Sequence, residues 1–279
     1  MSDIIEWIKT KDEPEVTIRV LKIETLNPEY SNRTLVFVLG WLNEIELMRP
    51  LMSEISQYCN VLLYEPRGYG QSKFPKTKGL FTKEEYCDEI AKVLEYCNVK
   101  DNAFLLFGNC SGAALAFEYF LSDNKIKPCA LTMISPQLKY KTPFWLPILG
   151  KLPNIFLASF QWFILLFLNI YLKFKKPDEV KTIIYAKEQL TKHGWSQRRF
   201  VLEFITRYDI RKRVAKITPP LMVFVGKDDY FIDLTQSKIF MSNPLSKVVE
   251  LVAVGHRIHA GNEKNIAKNI NTFFIEIEK

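Results

Sequence analysis

The sequence predicts an α/β fold, in which a doubly wound, mostly parallel sheet carries helices on both faces. Short apolar runs of strand length recur along the chain, and segments of helix length separate them. Strands buried between two layers of helices have this continuous apolar character. The length of 279 residues allows one such sheet together with an insertion.

The predicted strands begin at residues 17–24, where the alternation of polar and apolar residues is typical of an edge strand. Six short apolar runs follow, at 34–39, 61–64, 103–107, 130–134, 221–225 and 248–252. Helices are favoured between them, near 43–57, 83–97, 111–122, 234–241 and 262–277. This order predicts a doubly wound parallel sheet with helices on both faces.

The alternation of strands and helices breaks between Pro136 and Pro219. The residues there favour helix and irregular structure. We therefore predict a core of the α/β type formed by residues 1–138 and 214–279, with a helical cap inserted at 139–213.

The five cysteines are an odd number, and none forms a C-x-x-C pair. A chain of this length needs no disulfide staples, so we expect reduced thiols, a cytoplasmic location, no metal and no cofactor. The first 13 residues contain four acidic residues and no long apolar run, which is not the pattern of a signal peptide.

The most informative motif is Gly108-Asn109-Cys110-Ser111-Gly112, which follows the apolar run 103–107 and opens a helix-like stretch. A sharp strand-to-helix turn with glycine on both sides is the setting in which a nucleophile is presented. A small cysteine buried in such a turn is the alternative interpretation, and other parts of the chain decide between them.

Four further elements sit at the ends of predicted strands. They are Leu39-Gly40-Trp41, Glu65-Pro66-Arg67-Gly68-Tyr69-Gly70-Gln71-Ser72, Gly226-Lys227-Asp228-Asp229 and Gly255-His256. The order cysteine, aspartate, histidine is the order of nucleophile, acid and base in the α/β-hydrolase fold. On these residues the chain resembles the α/β-hydrolase fold superfamily, in a variant with a cysteine nucleophile, over about 15–138 and 214–279.

Two positions depart from the pattern of that superfamily. The loop that begins with Leu39-Gly40-Trp41 is where this superfamily has its oxyanion loop, and Leu39 stands where a histidine usually precedes the glycine. Glu65 stands where an aspartate usually opens the D-x-R-G-x-G-x-S element. Neither is a triad position, but both bear on the geometry of the oxyanion loop.

The resemblance implies catalytic roles for three residues. Cys110 attacks as a thiolate, which a helix N-terminus and a neighbouring imidazole favour. His256 exchanges the proton, and Asp229 orients the imidazole. The backbone N–H groups of Trp41 and Ser111 form the oxyanion hole.

Alternatives remain for several of these roles. His259 competes with His256 as the base, and Asp228 competes with Asp229 as the acid. Ser111 is a weaker nucleophile candidate than Cys110, because Asn109 stands where the preceding glycine would be needed.

A cysteine nucleophile forms a thioester intermediate, which passes its acyl group to thiols, alcohols or amines as well as to water. Cysteine-bearing branches of the superfamily include the dienelactone hydrolases and the polyhydroxyalkanoate synthases. The stretch from Gly255 to Asn262 is loosely similar to the synthases. This similarity favours acyl-thioester chemistry.

The predicted cap has an unusual charge and an apolar segment. Residues 139–213 contain 15 basic and 5 acidic residues, a net charge of +10 in a chain whose total is +7. Residues 155–172 are almost wholly apolar, and Lys173, Lys175 and Lys176 follow them. The segment could cross a membrane, lie buried between cap and core, or line an acyl tunnel or contact a membrane surface.

A single membrane span would separate Cys110 from Asp229 and His256, so we disfavour it. We expect Leu42, Trp162 and Phe163 to contact a hydrophobic acyl group. The basic cap suits an anionic substrate such as an acyl-CoA, or peripheral contact with an anionic membrane. Nucleic-acid binding is not expected, because charge is the only feature in its favour.

The sequence therefore predicts a cysteine-dependent acyl hydrolase or acyltransferase that acts on a hydrophobic ester or thioester. Two alternatives stay open. One is a non-catalytic protein that uses the same fold to bind a ligand, and the other is a slow carboxylesterase with cysteine in place of serine.

Overall fold

The computed structural model describes residues 3–75, 79–141, 201–229, 234–241, 243–252 and 256–279, together with individual helical residues between 156 and 188. Eight strands form one sheet: β1 (Asp3–Lys11), β2 (Val16–Ile23), β3 (Thr34–Val38), β4 (Asn60–Glu65), β5 (Leu105–Asn109), β6 (Ala130–Ile134), β7 (Leu221–Gly226) and β8 (Ser246–Leu251). Their order across the sheet is β1-β2-β4-β3-β5-β6-β7-β8. The pairs β1–β2 and β2–β4 are antiparallel, and the others are parallel.

The α-helices with described bounds are α1 (Ile45–Ile55), α2 (Lys83–Tyr96), α3 (Ser111–Leu121), α4 (Val201–Arg207), α5 (Leu234–Phe240) and α6 (Glu263–Ile277). Buried residues of α1 and α6 form one core layer with one face of the sheet, and those of α2, α3 and α4 form the other. Along β3, Val36 and Val38 face the α2 layer, whereas Leu35 and Phe37 face the α1 layer. This alternation confirms the predicted doubly wound α/β fold.

One prediction about the sheet is wrong. The strand predicted at 17–24 as an edge is β2, which lies between β1 and β4, and β1 is the edge. Exposed charged residues interrupt the apolar ones along β1 and hide its strand character, and its apolar residues Ile4 and Trp7 are themselves exposed. Charges of this kind protect a sheet edge from pairing with another chain.

The last part of the predicted cap packs into the core. Val201, Phe204 and Ile205 of α4 are buried in the layer that α2 and α3 form. The ring of Phe204 lies 5.4 Å from that of Tyr86, edge to face. The boundaries of the cap at 139 and 213 stay a prediction, because most of the insertion lies outside the described residues.

Arg67 anchors the loop after β4. Its side chain is fully buried, with Nε 2.7 Å from a carboxylate oxygen of Glu89 and Nη1 2.7 Å from one of Glu85. The carbonyl of Leu80 accepts a further hydrogen bond. The guanidinium thus links the start of this loop to its far end at Leu80 and to helix α2.

We predict that Arg67→Met destabilises the protein by about 3–5 kcal/mol, because it leaves the carboxylate of Glu89 buried without its partner. Urea unfolding measures the change. Lys83→Met, at an exposed position at the start of α2, is the control and should change the free energy of unfolding by less than about 0.5 kcal/mol. Equal losses in the two variants would contradict this role of Arg67.

Candidate active site

Cys110 occupies a strained turn between β5 and α3. Its φ is 50° and its ψ is −118°, a conformation that residues with a side chain rarely adopt. The flanking glycines permit it, because a Cβ at Gly108 would lie 2.7 Å from Ala113 and one at Gly112 would lie 2.2 Å from the carbonyl oxygen of Val38. The turn therefore needs both glycines for close packing of α3 on the sheet.

Cys110 differs from the other four cysteines in its surroundings. It is half-buried and stands at the N-terminus of α3, where the helix dipole favours a negative charge. Burial raises the pKa of Cys87 and Cys97 to about 11, and it also raises those of Cys59 and Cys129. Those four thiols are therefore protonated and unreactive near neutral pH.

His256 and Asp229 form a hydrogen-bonded pair. The Nδ1 atom of His256 lies 2.8 Å and 3.0 Å from the two carboxylate oxygens of Asp229. Asp229 is buried in the loop that follows β7, whereas its neighbour Asp228 is exposed. The hydroxyl of Ser135, after β6, donates to Asp229 Oδ2 at 3.0 Å.

The charge on the His256 imidazole is stabilised by its neighbours. Burial lowers its pKa, but the charge of Cys110 and hydrogen bonds with Asp229 and Cys110 outweigh that effect and raise the pKa well above 6.5. Because Nδ1 faces Asp229, the other ring nitrogen, Nε2, is the one available to Cys110. The structure thus brings all three predicted triad residues together.

His259, the alternative base, is placed differently. It is buried, and burial together with the charges of Arg257 and His256 lowers its pKa to about 3. Its Nε2 makes no hydrogen bond with any described residue. An imidazole with so low a pKa is poorly suited to act as the base of this site.

The predicted oxyanion loop after β3 is tied to the nucleophile turn. Gly40 N–H donates to Asn109 Oδ1 at 2.7 Å, and Trp41 N–H donates to Ser111 Oγ at 2.7 Å. The hydroxyl of Tyr69 also donates to Ser111 Oγ, at 3.3 Å. The two predicted oxyanion residues are therefore adjacent, but the N–H of Trp41 is engaged by the side chain of Ser111.

Glu65 fixes the far end of the oxyanion loop, where α1 begins. Its buried carboxylate accepts the N–H of Ile45, at the start of α1, at 2.8 Å and the N–H of Gln71 at 2.6 Å. Burial raises its pKa to about 7, although these hydrogen bonds act in the opposite direction. Gly70 makes room, since a Cβ there would lie 2.1 Å from the carboxyl carbon. The longer glutamate thus takes over a structural role at the usual aspartate position.

Tyr140 is a polar residue near the nucleophile that the sequence did not indicate. Burial and the charge of Cys110 raise its pKa well above 10, and its hydroxyl oxygen is buried without a hydrogen-bond partner among the described residues. Asn109, Ser135 and Tyr69 were also missed. The available signal was their position at or directly after a strand end, or within the glycine-rich loop.

The predicted substrate-binding residues lie in two places. Leu42 is in the oxyanion loop with φ of 62°, a strained value. Trp162 and Phe163 belong to the predicted cap, and their side chains are 64% and 68% exposed. Gly255, which precedes the histidine, lies outside the described residues. Within the described ranges, no three His, Cys, Asp or Glu side chains cluster so as to hold a metal ion.

A family model, the serine aminopeptidase S33 family of hydrolases, matches residues 32–263. The chain belongs to this family. Together with the sheet order, this membership makes it a hydrolase of the α/β-hydrolase fold. The family name refers to serine, whereas this chain has cysteine at the turn and serine at the next position. No curated protein matches the chain in sequence.

Solved structures share the fold at low identity. An esterase from Exiguobacterium antarcticum superimposes with a TM-score of 0.75 and 14% identity, over 98% of this chain and 99% of that one. An esterase from Thermogutta terrifontis gives 0.74 and 14%, over 100% of both chains. An enol-lactonase from Burkholderia xenovorans LB400 gives 0.71 and 14%, over 94% of this chain and 96% of that one.

We predict that the imidazole of His256 titrates well above pH 6.5 and that His259 stays neutral down to about pH 3. NMR can resolve this, because the chain has only three histidines. Asp229→Asn should lower the pKa of His256, since it removes a raising contribution. An unchanged titration in Asp229→Asn would contradict the assigned pair.

The raised pKa of His256 also makes the stability of the folded protein depend on pH. Since folding raises the pKa of His256 above its unfolded value of about 6.5, the charged imidazole contributes stability that is fully present below that pH. This contribution is lost as the pH rises through the folded-state pKa.

Proposed function

We propose that this hydrolase is cysteine-dependent and transfers an acyl group from a hydrophobic ester or thioester through a covalent intermediate on Cys110. The observation that carries the proposal is the convergence of Cys110, at its strained turn, with the bonded pair His256 and Asp229. The acceptor is water in hydrolysis, or an alcohol, thiol or amine in acyl transfer.

The proposed reaction has two halves. The Cys110 thiolate attacks the carbonyl carbon, and the tetrahedral intermediate collapses with loss of the alcohol or thiol, which takes a proton from Nε2 of His256. Neutral His256 then removes a proton from the acceptor, which attacks the thioester and regenerates the thiolate and the imidazolium. Asp229 keeps Nδ1 oriented throughout, and Ser135 holds Asp229.

Ser111 has a proposed role beyond its backbone N–H. Its Oγ accepts hydrogen bonds from Trp41 and Tyr69, which occupy both lone pairs of the hydroxyl and leave its own proton to donate elsewhere. We therefore assign the Ser111 hydroxyl as a donor to the oxyanion, polarised by these two partners. This modifies the predicted oxyanion hole, in which the N–H of Trp41 contacted the oxyanion directly.

The substrate class rests on the surroundings of the site. The net charge of +10 between residues 139 and 213 favours an anionic leaving group, such as that of an acyl-CoA. Leu42 remains our candidate for contact with the acyl chain, whereas the side chains of Trp162 and Phe163 are 64% and 68% exposed. The names of similar structures, esterases and an enol-lactonase, make oxygen esters and lactones the alternative substrates.

We predict that Cys110→Ala abolishes turnover of a panel of acyl thioesters, p-nitrophenyl esters and lactones, because no other thiol is presented at the turn. Cys129→Ala, at a half-buried cysteine outside the site, is the matched control and should keep activity. Unimpaired turnover in Cys110→Ala would contradict the proposal. Activity lost equally in both variants would do so as well.

The acid can be tested with a matched pair of neighbours. Asp229→Asn should lower kcat by roughly two to four orders of magnitude, because the imidazole loses its orienting carboxylate. Asp228→Asn removes an exposed carboxylate and should retain at least half of the activity. The reverse order in steady-state kinetics would show that Asp228 is the acid.

Ser111→Ala should lower kcat by about 10- to 100-fold with little change in KM, because the oxyanion forms only in the transition state. Tyr69→Phe should cause a smaller loss, since it removes only one of the two groups that polarise the hydroxyl. An unchanged or higher kcat in Ser111→Ala would mean that the side chain only occupies the N–H of Trp41.

A further inference from the structure

The described helical residues of the insertion expose an unusual number of large apolar side chains. Their exposed fractions range from 43% at Leu166 to 81% at Phe174. The exposed residues are Phe156, Trp162, Phe163, Leu166, Phe167, Ile170 and Phe174. Scattered single apolar residues are normal on a protein surface, but a run of this kind marks a site of interaction.

Five of these residues have the sequence spacing of one helix face. Phe163, Phe167, Ile170 and Phe174 are separated by four, three and four positions, and Phe156 precedes the first by seven. At 3.6 residues per turn these positions fall within about 60° of each other around a helix axis. We call Phe156, Phe163, Phe167, Ile170 and Phe174 the aromatic face. The intervening residues Leu165 and Asn169 are less exposed.

Positive charge accompanies the aromatic face. Lys173 is exposed beside Phe174, and Lys175 and Lys176 follow in the sequence. Residues 139–213 carry a net charge of +10, which leaves −3 for the remainder of the chain. Apolar and aromatic side chains flanked by lysines are the combination that binds at the boundary between lipid headgroups and acyl chains.

We propose that the aromatic face binds the surface of an anionic lipid bilayer, with its rings at the headgroup boundary and the neighbouring lysines on the headgroups. This proposal does not depend on the catalytic one. In the part of the chain that the structure describes, no helix is long and apolar enough to cross a membrane. A span at this point would also separate Cys110 from His256 and Asp229, which are in contact.

Two other occupants of the aromatic face are less suitable than a bilayer. A second copy of the chain would bring the same positively charged region against itself, and like charges at an interface are unfavourable. An acyl chain held in a tunnel would require the rings to be enclosed, whereas those of Phe163, Phe167 and Phe174 are at least two-thirds exposed. An anionic bilayer complements both the apolar face and the charge.

The test is flotation of the full chain with vesicles of phosphatidylcholine, with and without phosphatidylglycerol, at low and at high salt. The wild type should float with the anionic vesicles, and high salt should weaken but not abolish its binding. Lys173→Glu should weaken binding to the anionic vesicles by about fivefold or more. The double variant Ile170→Ser, Phe174→Ser should weaken it by at least about tenfold.

Matched controls separate this surface from general effects. Leu26→Ser removes an exposed apolar residue elsewhere, and Lys100→Glu reverses an exposed charge outside the insertion. Both should bind like the wild type, and circular dichroism should show all variants folded. Failure of the wild type to float in any condition would overturn the proposal. Equal losses of vesicle binding in the two control variants would also overturn it. So would a wild-type dimer in light scattering that dissociates in the double variant Ile170→Ser, Phe174→Ser, if the wild type does not float.

Discussion

The backbone turn at Cys110 is the constraint on which the candidate site depends. The turn is held on both sides of β5: the N–H of Cys110 donates to the carbonyl of Ile134 at 2.9 Å, and Gly112 packs against Val38. A residue with φ of 50° costs about 1–3 kcal/mol, so the surrounding structure must maintain it. The result is a half-buried sulfur at the N-terminus of α3 that faces the ends of its neighbouring strands.

Hydrogen bonds from buried side chains at or near the strand ends fix the segments around this turn. Asn109 holds Gly40 of the oxyanion loop, Ser135 holds Asp229, and Glu65 holds the start of α1. Each of these side chains is buried, and a buried polar group left without its partner costs about 1–3 kcal/mol. The loops that present the site are thus stabilised by the same contacts that orient it.

Much of this arrangement could be predicted from the sequence. The buried parallel strands are continuous apolar runs, and their carboxyl ends meet at one edge of the sheet, so Cys110, Asp229 and His256 could be expected to converge. The edge strand β1 could not, because exposed charges interrupt its pattern. The bonds of Ser135, Asn109 and Tyr69 depend on side-chain geometry between distant segments, which no local pattern encodes.

The most direct measurement of the central claim is intact-protein mass spectrometry during turnover of acyl thioesters and activated esters, with peptide mapping of any adduct. We expect a mass increase equal to one acyl group, confined to Cys110. With activated esters, whose leaving groups need no proton, this adduct should accumulate in His256→Ala because the acceptor is then not deprotonated. An acyl group on Ser111, or turnover with no adduct on Cys110 in either protein, would contradict the claim.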